Sequence, residues 1–218
     1  MMDVRRIMSA PFAVNCFAAR EGDRAIVIDS TSGMDWDEFA PRLRHVLGDA
    51  QVEAVYLTHL HVDHVGGAAR MAALTGAPLL IHEDEAFAVE DGDQLATGAA
   101  LFGGFMEAHP VTRLREKDIV RLGKREMEVI LAPGHSPAHT ALWDPESRSL
   151  FSGDVVFEGG SFGRVDLPGG DGPTLVRSLE KLAALDPVNC YPGHMGAILG
   201  GARDAIRRSL ENARDLVL

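Results

Sequence analysis

The stretch Thr58 to Gly67 reads T-H-L-H-V-D-H-V-G-G, and His59, His61, Asp63 and His64 fall within six residues of it. Imidazoles and a carboxylate at that density need partners once buried, and a cation satisfies all of them together. The chemistry this predicts is metal binding at a strand-to-loop-to-helix corner. Upstream, Val52 to Leu57 is a β-branched and aromatic run that predicts a strand. Downstream, Val65 to Leu74 predicts a helix with Gly76 as its stop.

Ligand-type residues follow strand-like runs at three further places: L-A-P-G-H at Leu131 to His135, F-S-G-D at Phe151 to Asp154, and C-Y-P-G-H at Cys190 to His194. Strand ends can converge on one rim of a sheet. The set then comprises His59, His61, His64, His135, His194, Asp63 and Asp154. Seven donors exceed what one tetrahedral zinc takes, whose catalytic form keeps three protein ligands and an open position; they suit two metals sharing a bridge. Proline and glycine before His135 and His194 form tight turns that aim each imidazole. His139 either hydrogen-bonds behind the site or packs at the start of the next strand. His45, His82 and His109 belong to no motif.

The elements that must position these residues alternate in type. Val4 to Ile7, Ala13 to Ala19 and Ala25 to Asp29 predict an antiparallel start, broken by Pro11 and by Glu21-Gly22-Asp23. Asp35 to Leu47 has helical spacing, with Pro41 starting a new helix or kinking this one. Leu79 to Ile81 predicts another buried strand. Residues 83–110 mix loop formers with large apolar side chains and predict a flexible segment over a pocket, lined by Phe102, Phe105 and Met106 or tucked onto the core. Hairpins are expected at Asp118–Leu122 with Met127–Leu131 and at Thr140–Trp143 with Ser149–Ser152. Pro173 opens a helix through Leu185, Asn189 to Tyr191 is a short strand, and Ala202 to Val217 is an amphipathic helix.

At 218 residues and 46% hydrophobic, the chain has enough apolar material for one full core, and a single domain over residues 1–218 is expected. The net charge is −11, from 21 basic and 32 acidic residues, with no basic patch, which argues against a nucleic-acid partner. No run approaches the ~20 apolar residues of a membrane span, so no membrane partner and a cytoplasmic location are expected. Two cysteines, Cys16 and Cys190, are too few for a disulfide framework and read as small buried apolar residues.

T-H-L-H-V-D-H-V-G-G, A-P-G-H-S, F-S-G-D and Y-P-G-H, in this order and spacing, resemble the motifs of the metallo-β-lactamase superfamily. The resemblance implies an α/β fold, a four-layer αβ/βα sandwich of two mixed sheets with the metal site at one edge. It further implies two divalent metal ions, with His59, His61 and His135 on the first, Asp63, His64 and His194 on the second, and Asp154 bridging. Imidazole and carboxylate donors suit Zn, Fe or Mn without choosing among them, and Zn is the first expectation. Two such ions lower the pKa of a shared water toward ~7 and polarise a carbonyl, so no serine or cysteine nucleophile is required. Asp63 accepts a hydrogen bond from that water, which with Asp154 makes the catalytic pair.

Gly153 to Asp171 is similar to short glyoxalase II-like hydrolases, which implies a small-molecule acyl thioester such as S-lactoylglutathione as substrate. Arg164 falls where that family places a basic residue and is a candidate substrate anchor. The chain departs from full-length glyoxalase II in three ways. Only 24 residues follow His194, without the helical C-terminal domain; Met195 and Gly196 replace a Glu-Tyr pair; Asp166 stands where a glutathione-contacting tyrosine would lie. The thioesterase chemistry carries over better than the glutathione specificity. Alternatives in the same superfamily are a mononuclear iron persulfide dioxygenase, against which Gly66-Gly67 argues, and a lactonase or β-lactamase. A flavodiiron role is disfavoured by His61, where that type has glutamate. A non-enzymatic metal-dependent binding module would show no turnover to lose. The apolar residues of 83–110 are compatible with a homodimer.

Overall fold

The structure is a computed structural model and describes residues 2–217. The chain divides into two compact units: one runs through Leu114 and adds Val120–Glu126, the other takes Arg115–Ile119 and everything from Met127 on. Each has its own apolar core cluster, and the strands form two sheets.

The first unit opens with β1 (Asp3–Ser9), β2 (Val14–Glu21) and β3 (Arg24–Ile28), joined antiparallel as the turn signals require. β4 (Gln51–Tyr56), β5 (Leu79–His82) and β6 (Thr112–Leu114) then add in parallel, giving a mixed six-stranded sheet in sequence order. Parallel neighbours need crossovers. The first is helix α1 (Trp36–Leu47), which runs unbroken through Pro41 and buries Phe39, Ala40, Leu43 and Leu47. Burial of each Leu or Phe contributes about 1.5–3 kcal/mol, enough to offset one missing helix hydrogen bond.

The next crossover corrects an expectation. Instead of one helix over Val65–Leu74 there are two, α2 (Val62–Val65) and α3 (Ala68–Thr75), parted at Gly66-Gly67. A Cβ on Gly66 would stand 2.5 Å from the Ser32 carbonyl oxygen and one on Gly67 2.3 Å from that of Ser30. Close approach of that loop interrupts the helix and explains why both positions are glycine. Gly76 does stop α3, in the left-handed conformation, with its N–H on Ala72 O.

Residues 83–110 are also more ordered than a flexible cover. They carry α4 (Ala86–Glu90) and α5 (Ala99–Phe102). Gln94 clamps the following loop: its Nε2 donates to Gly92 O and Met106 O, both at 2.7 Å, and its Oε1 accepts from Met106 N at 3.1 Å. Met106 is buried in the core cluster, Phe105 is exposed, and Phe102 packs edge-on against Phe12.

The second sheet has the order β11-β10-β9-β8-β7, from β7 (Ile119–Leu122), β8 (Arg125–Leu131), β9 (Thr140–Asp144), β10 (Ser149–Gly153) and β11 (Asn189–Pro192). β8, β9 and β10 pair antiparallel; β11 joins β10 in parallel after the crossover α6 (Gly172–Ala184). Asp171 caps α6 by accepting from Thr174 N at 2.8 Å, with Pro173 in the first turn. The last helix, α7 (Ala202–Val217), turns Ala205, Ile206 and Ala213 into the core. Its Ser209 Oγ donates to Ser161 O and its Asn212 Nδ2 to Gly160 O, which pins the Gly-rich loop that follows β10. Cys16 and Cys190 are buried free thiols, as expected, and burial pushes the Cys190 thiol up to about 12. Among the described residues no helix is long and apolar enough to cross a membrane.

Candidate metal centre

In the first unit the motif leaves β4 and turns into α2. Asp29, at the end of β3 with φ of 62°, takes its N–H to Tyr56 O and aims its carboxylate into the corner. That carboxylate accepts Thr58 N at 2.8 Å, Thr58 Oγ1 at 3.0 and 3.1 Å, and His64 Nδ1 at 2.8 Å. The Thr58 hydroxyl proton is therefore spent on Asp29, and the hydroxyl accepts from His59 Nδ1 at 3.0 Å. Two tautomers follow from this bonding. With Nδ1–H donating in both His59 and His64, each Nε2 carries the lone pair a metal requires. Those two rings lie 4.2 Å apart, His61 stands edge-on 4.8 Å from His59, and Asp63 Oδ2 is 3.6 Å from His64 Nε2. The loop itself is held by Glu85, a fully buried carboxylate that accepts Leu60 N at 2.7 Å, and by Thr97 O, which accepts Val62 N.

In the second unit three strand ends contribute one residue each. His135 follows β8, and its Nδ1–H donates to Arg164 O at 2.7 Å, which again presents Nε2 as the lone-pair nitrogen. Asp154 follows β10, with Oδ2 at 3.6 Å from His135 Nε2 and 3.3 Å from His194 Nε2. One carboxylate thus faces two imidazole edges, the disposition expected of a shared ligand. His139 is buried, and its Nε2 accepts Asp154 N–H at 3.0 Å. It supports Asp154 from behind and has its Nε2 committed. The Arg164 guanidinium forks onto Asp166 at 2.6 and 2.7 Å, and those bonds hold the Asp166 carboxyl at about 2. A substrate anion would compete with Asp166 for it, whereas the Arg164 carbonyl orients His135. His45 is exposed and His109 half-buried, neither belongs to a ligand group, and His82 lies near Asp84.

The donor set consists of imidazole nitrogens and carboxylates, with no thiolate, and the tautomers of His59, His64 and His135 all turn a basic nitrogen outward. This fits divalent first-row metals. Sequence reasoning passed over Asp29 and Glu85 as functional residues. The available signal for Asp29 was a carboxylate ending an apolar run, A-I-V-I-D; Glu85 gave none, being one of three acids in E-D-E.

Two mixed sheets with helices and histidine-aspartate clusters at strand ends define a metal-binding α/β sandwich. Residues 9–194 match the Metallo-beta-lactamase superfamily, and the chain belongs to it. Hydroxyacylglutathione hydrolase GloC of Haemophilus influenzae is 30% identical over 199 residues, covering 88% of this chain and 91% of that protein. Among solved structures, the BLEG-1 B3 metallo-beta-lactamase superposes with a TM-score of 0.83 at 26% identity, over 99% of this chain and 100% of the other. The protein TTHA1623, solved in a di-iron-bound form, gives 0.76 at 32% identity, over 92% and 96%.

Proposed function

We propose that the chain is a dinuclear metal-dependent hydrolase of acyl thioesters, similar to glyoxalase II. The observation that carries this reading is the fixing of His59, His64 and His135 by Nδ1, which leaves three Nε2 donors beside two carboxylates. His59, His61 and His135 would hold one metal, Asp63, His64 and His194 the other, and Asp154 would serve both. Metals held there supply Lewis acidity and bring the pKa of a bound water toward ~7. Asp63, whose side chain is 18% exposed, accepts the hydrogen bond of the attacking water and orients it toward the acyl carbon. Asp29, Thr58 and the Arg164 carbonyl keep the imidazoles from rotating while charge moves at the carbonyl. His139 holds Asp154 in place through the peptide N–H. The similarity to the Haemophilus influenzae hydroxyacylglutathione hydrolase supports a thioester over a lactone or β-lactam.

The test is metal content per chain on protein purified without chelator, beside an assay on S-lactoylglutathione. About two equivalents of Zn, Fe or Mn with turnover is expected, and Asp154→Ala should lose metal from both positions and on the order of 10³-fold in turnover. One equivalent of iron with oxygen uptake and no thioester cleavage would replace this reading with a persulfide dioxygenase.

A further inference from the structure

Of the two histidines that the second unit offers a metal, His194 is the less enclosed: its side chain is 22% exposed, against 4% for His135. The residue after it, Met195, has φ of 65°, a left-handed conformation that a side-chain-bearing residue keeps only where its surroundings over-determine it. A turn of that kind relaxes unless something outside it holds it. Phe157 and Glu158 meet it at both ends. The Phe157 ring stands edge-on to the His194 imidazole, with centroids 5.8 Å apart and planes at 81°. Glu158 Oε2 lies 2.5 Å from where a Cβ on Gly196 would stand. Phe157 is itself buried, so its ring is packed in place rather than free to swing.

Helix α7 sets the place of both residues. Ser161 O closes their loop by accepting Phe157 N–H at 2.9 Å, and its second lone pair accepts the Ser209 hydroxyl at 2.8 Å. One residue earlier, Gly160 O accepts Asn212 Nδ2–H at 2.7 Å. Ser209 and Asn212 are three apart, which puts them on one face of α7. Gly160 has φ of 83°, and a Cβ there would stand 2.9 Å from Asn212 Nδ2 and 3.1 Å from Arg208 Cβ, so the main chain lies directly on the helix. The helix is fixed in turn by Ala205, Ile206, Ser209 and Ala213, all buried. Contacts therefore run without a break from Ser209 and Asn212 through the main chain of residues 160–161 and the Phe157 ring to His194.

We infer that Phe157 is a positioning residue for His194, that Ser209 and Asn212 hold it from α7, and that this brace sets how tightly a metal ligated by His194 is retained. The inference rests on the ligand role of His194 in the hydrolase reading. Phe157 touches no reacting atom. Loss of the ring or of its support releases the main chain of the turn at 194–196 and lets Met195 leave the left-handed region. The imidazole then moves away from Asp154 Oδ2, which lies 3.3 Å from its Nε2.

The test is zinc-titration calorimetry on the full-length apoprotein, with NMR of the histidine rings in the same metal-free samples and the His194 resonances assigned by His194→Gln. Wild type should take about two zinc ions. Asn212→Ala should weaken one of them about 5-fold and Phe157→Leu about 10-fold, with the other ion held within about twofold. Added to Phe157→Leu, Asn212→Ala should cost less than about twofold more, because the same brace is already gone. Ser209→Ala breaks the neighbouring bond and should act like Asn212→Ala, which covers a failure of the latter to fold. In the metal-free spectra the His194 ring protons should move in Asn212→Ala more than those of His135. A helix bond with only a structural role would lower the melting temperature alike with and without Phe157 and leave both zinc affinities alone. That result, or fully additive losses of affinity, or a zinc affinity indifferent to His194→Gln, overturns the inference even where thioester turnover keeps the hydrolase reading. Displaced His194 resonances and non-additive zinc loss in a chain that cleaves no thioester sink the hydrolase reading and leave the brace standing.

Discussion

The two units hold their proposed ligands by different means. In the first, four ligands come from one short stretch, and side-chain carboxylates do the fixing: Asp29 on Thr58 and His64, Glu85 on Leu60. In the second, three ligands come from three strand ends, and each fixing bond involves the main chain: the Arg164 carbonyl receives His135 Nδ1–H, and the His139 imidazole receives the Asp154 peptide N–H. The difference follows from local backbone. A chain leaving a strand and entering a four-residue helix has N–H groups without ladder partners, so acids must supply acceptors. Strand ends held in register place their side chains through the sheet. The first set should therefore fail one side chain at a time, and the second only when main chain is displaced.

The sharpest way to break that contrast is to push on the second unit's backbone. A Cβ on Gly163 would sit 1.8 Å from the Asp154 carbonyl oxygen and 3.1 Å from His135 Nδ1. Gly163→Ala must move the loop that presents Arg164 O, at a cost of about 3 kcal/mol or more, or a melting temperature lower by about 6–12 °C. Metal content should fall with it. A variant that melts and loads metal like the wild type would show that the loop is not what orients His135.

Asp29 is the corresponding weak point of the first unit. Asp29→Ala leaves Thr58 N–H and His64 Nδ1–H without their acceptor in a buried site, costing about 2–4 kcal/mol. Asp29→Asn separates the two duties. Its carbonyl oxygen can still serve Thr58, but an amide NH₂ facing His64 Nδ1–H opposes donor to donor, so metal affinity should drop about 10- to 100-fold with a smaller loss of stability. Titration of the apoprotein with zinc, followed by melting of the metal-free form, measures the two effects apart; unchanged affinity in Asp29→Asn would mean that the His64 tautomer is set elsewhere.

Glu85 should behave as a pure acceptor. Glu85→Gln keeps an oxygen for Leu60 N–H and is expected to hold metal affinity within about threefold. Glu85→Ala orphans that N–H at about 1–3 kcal/mol and loosens the loop between His59 and His61. Equal damage from both substitutions, read by zinc titration, would instead assign the role to the carboxylate's charge.

The contrast also explains what was legible from sequence. Each proposed ligand was named from sequence because it sits in a short motif at the end of an apolar run, and strand runs such as Ala25–Asp29 and Asn189–Tyr191 announce themselves by composition. What escaped depends on contacts across long separations. Asp29 meets His64 35 residues away and Glu85 meets Leu60 25 away, which no local periodicity encodes. The helix expected over Val65–Leu74 splits because Ser30 and Ser32, far back in the chain, crowd Gly66-Gly67. Residues 83–110 looked loop-like because their order comes from one glutamine bonding across twelve residues to Met106. Pro41 offered two outcomes by sequence, and the buried face of α1 decided for continuity.

The smallest effect tests whether Arg164 serves the second unit through its main chain alone. The Asp166 carboxyl, held at about 2 by its hydrogen bonds from Arg164, lies below the roughly 3.9 of an unfolded chain. A depressed carboxylate stabilises the fold fully above the unfolded value, so this contribution is intact at pH 5 and is lost as pH falls through about 2. Both side chains are exposed, 54% and 67%, and solvent screening keeps the contribution small. Asp166→Asn should flatten the melting temperature between pH 4 and pH 2 and leave it nearly unchanged at pH 7. Arg164→Ala removes the same ion pair but retains the carbonyl that receives His135 Nδ1–H, so its metal content should match wild type. Loss of metal in Arg164→Ala would show that a side chain organises the second set after all, and the distinction between the two units would collapse.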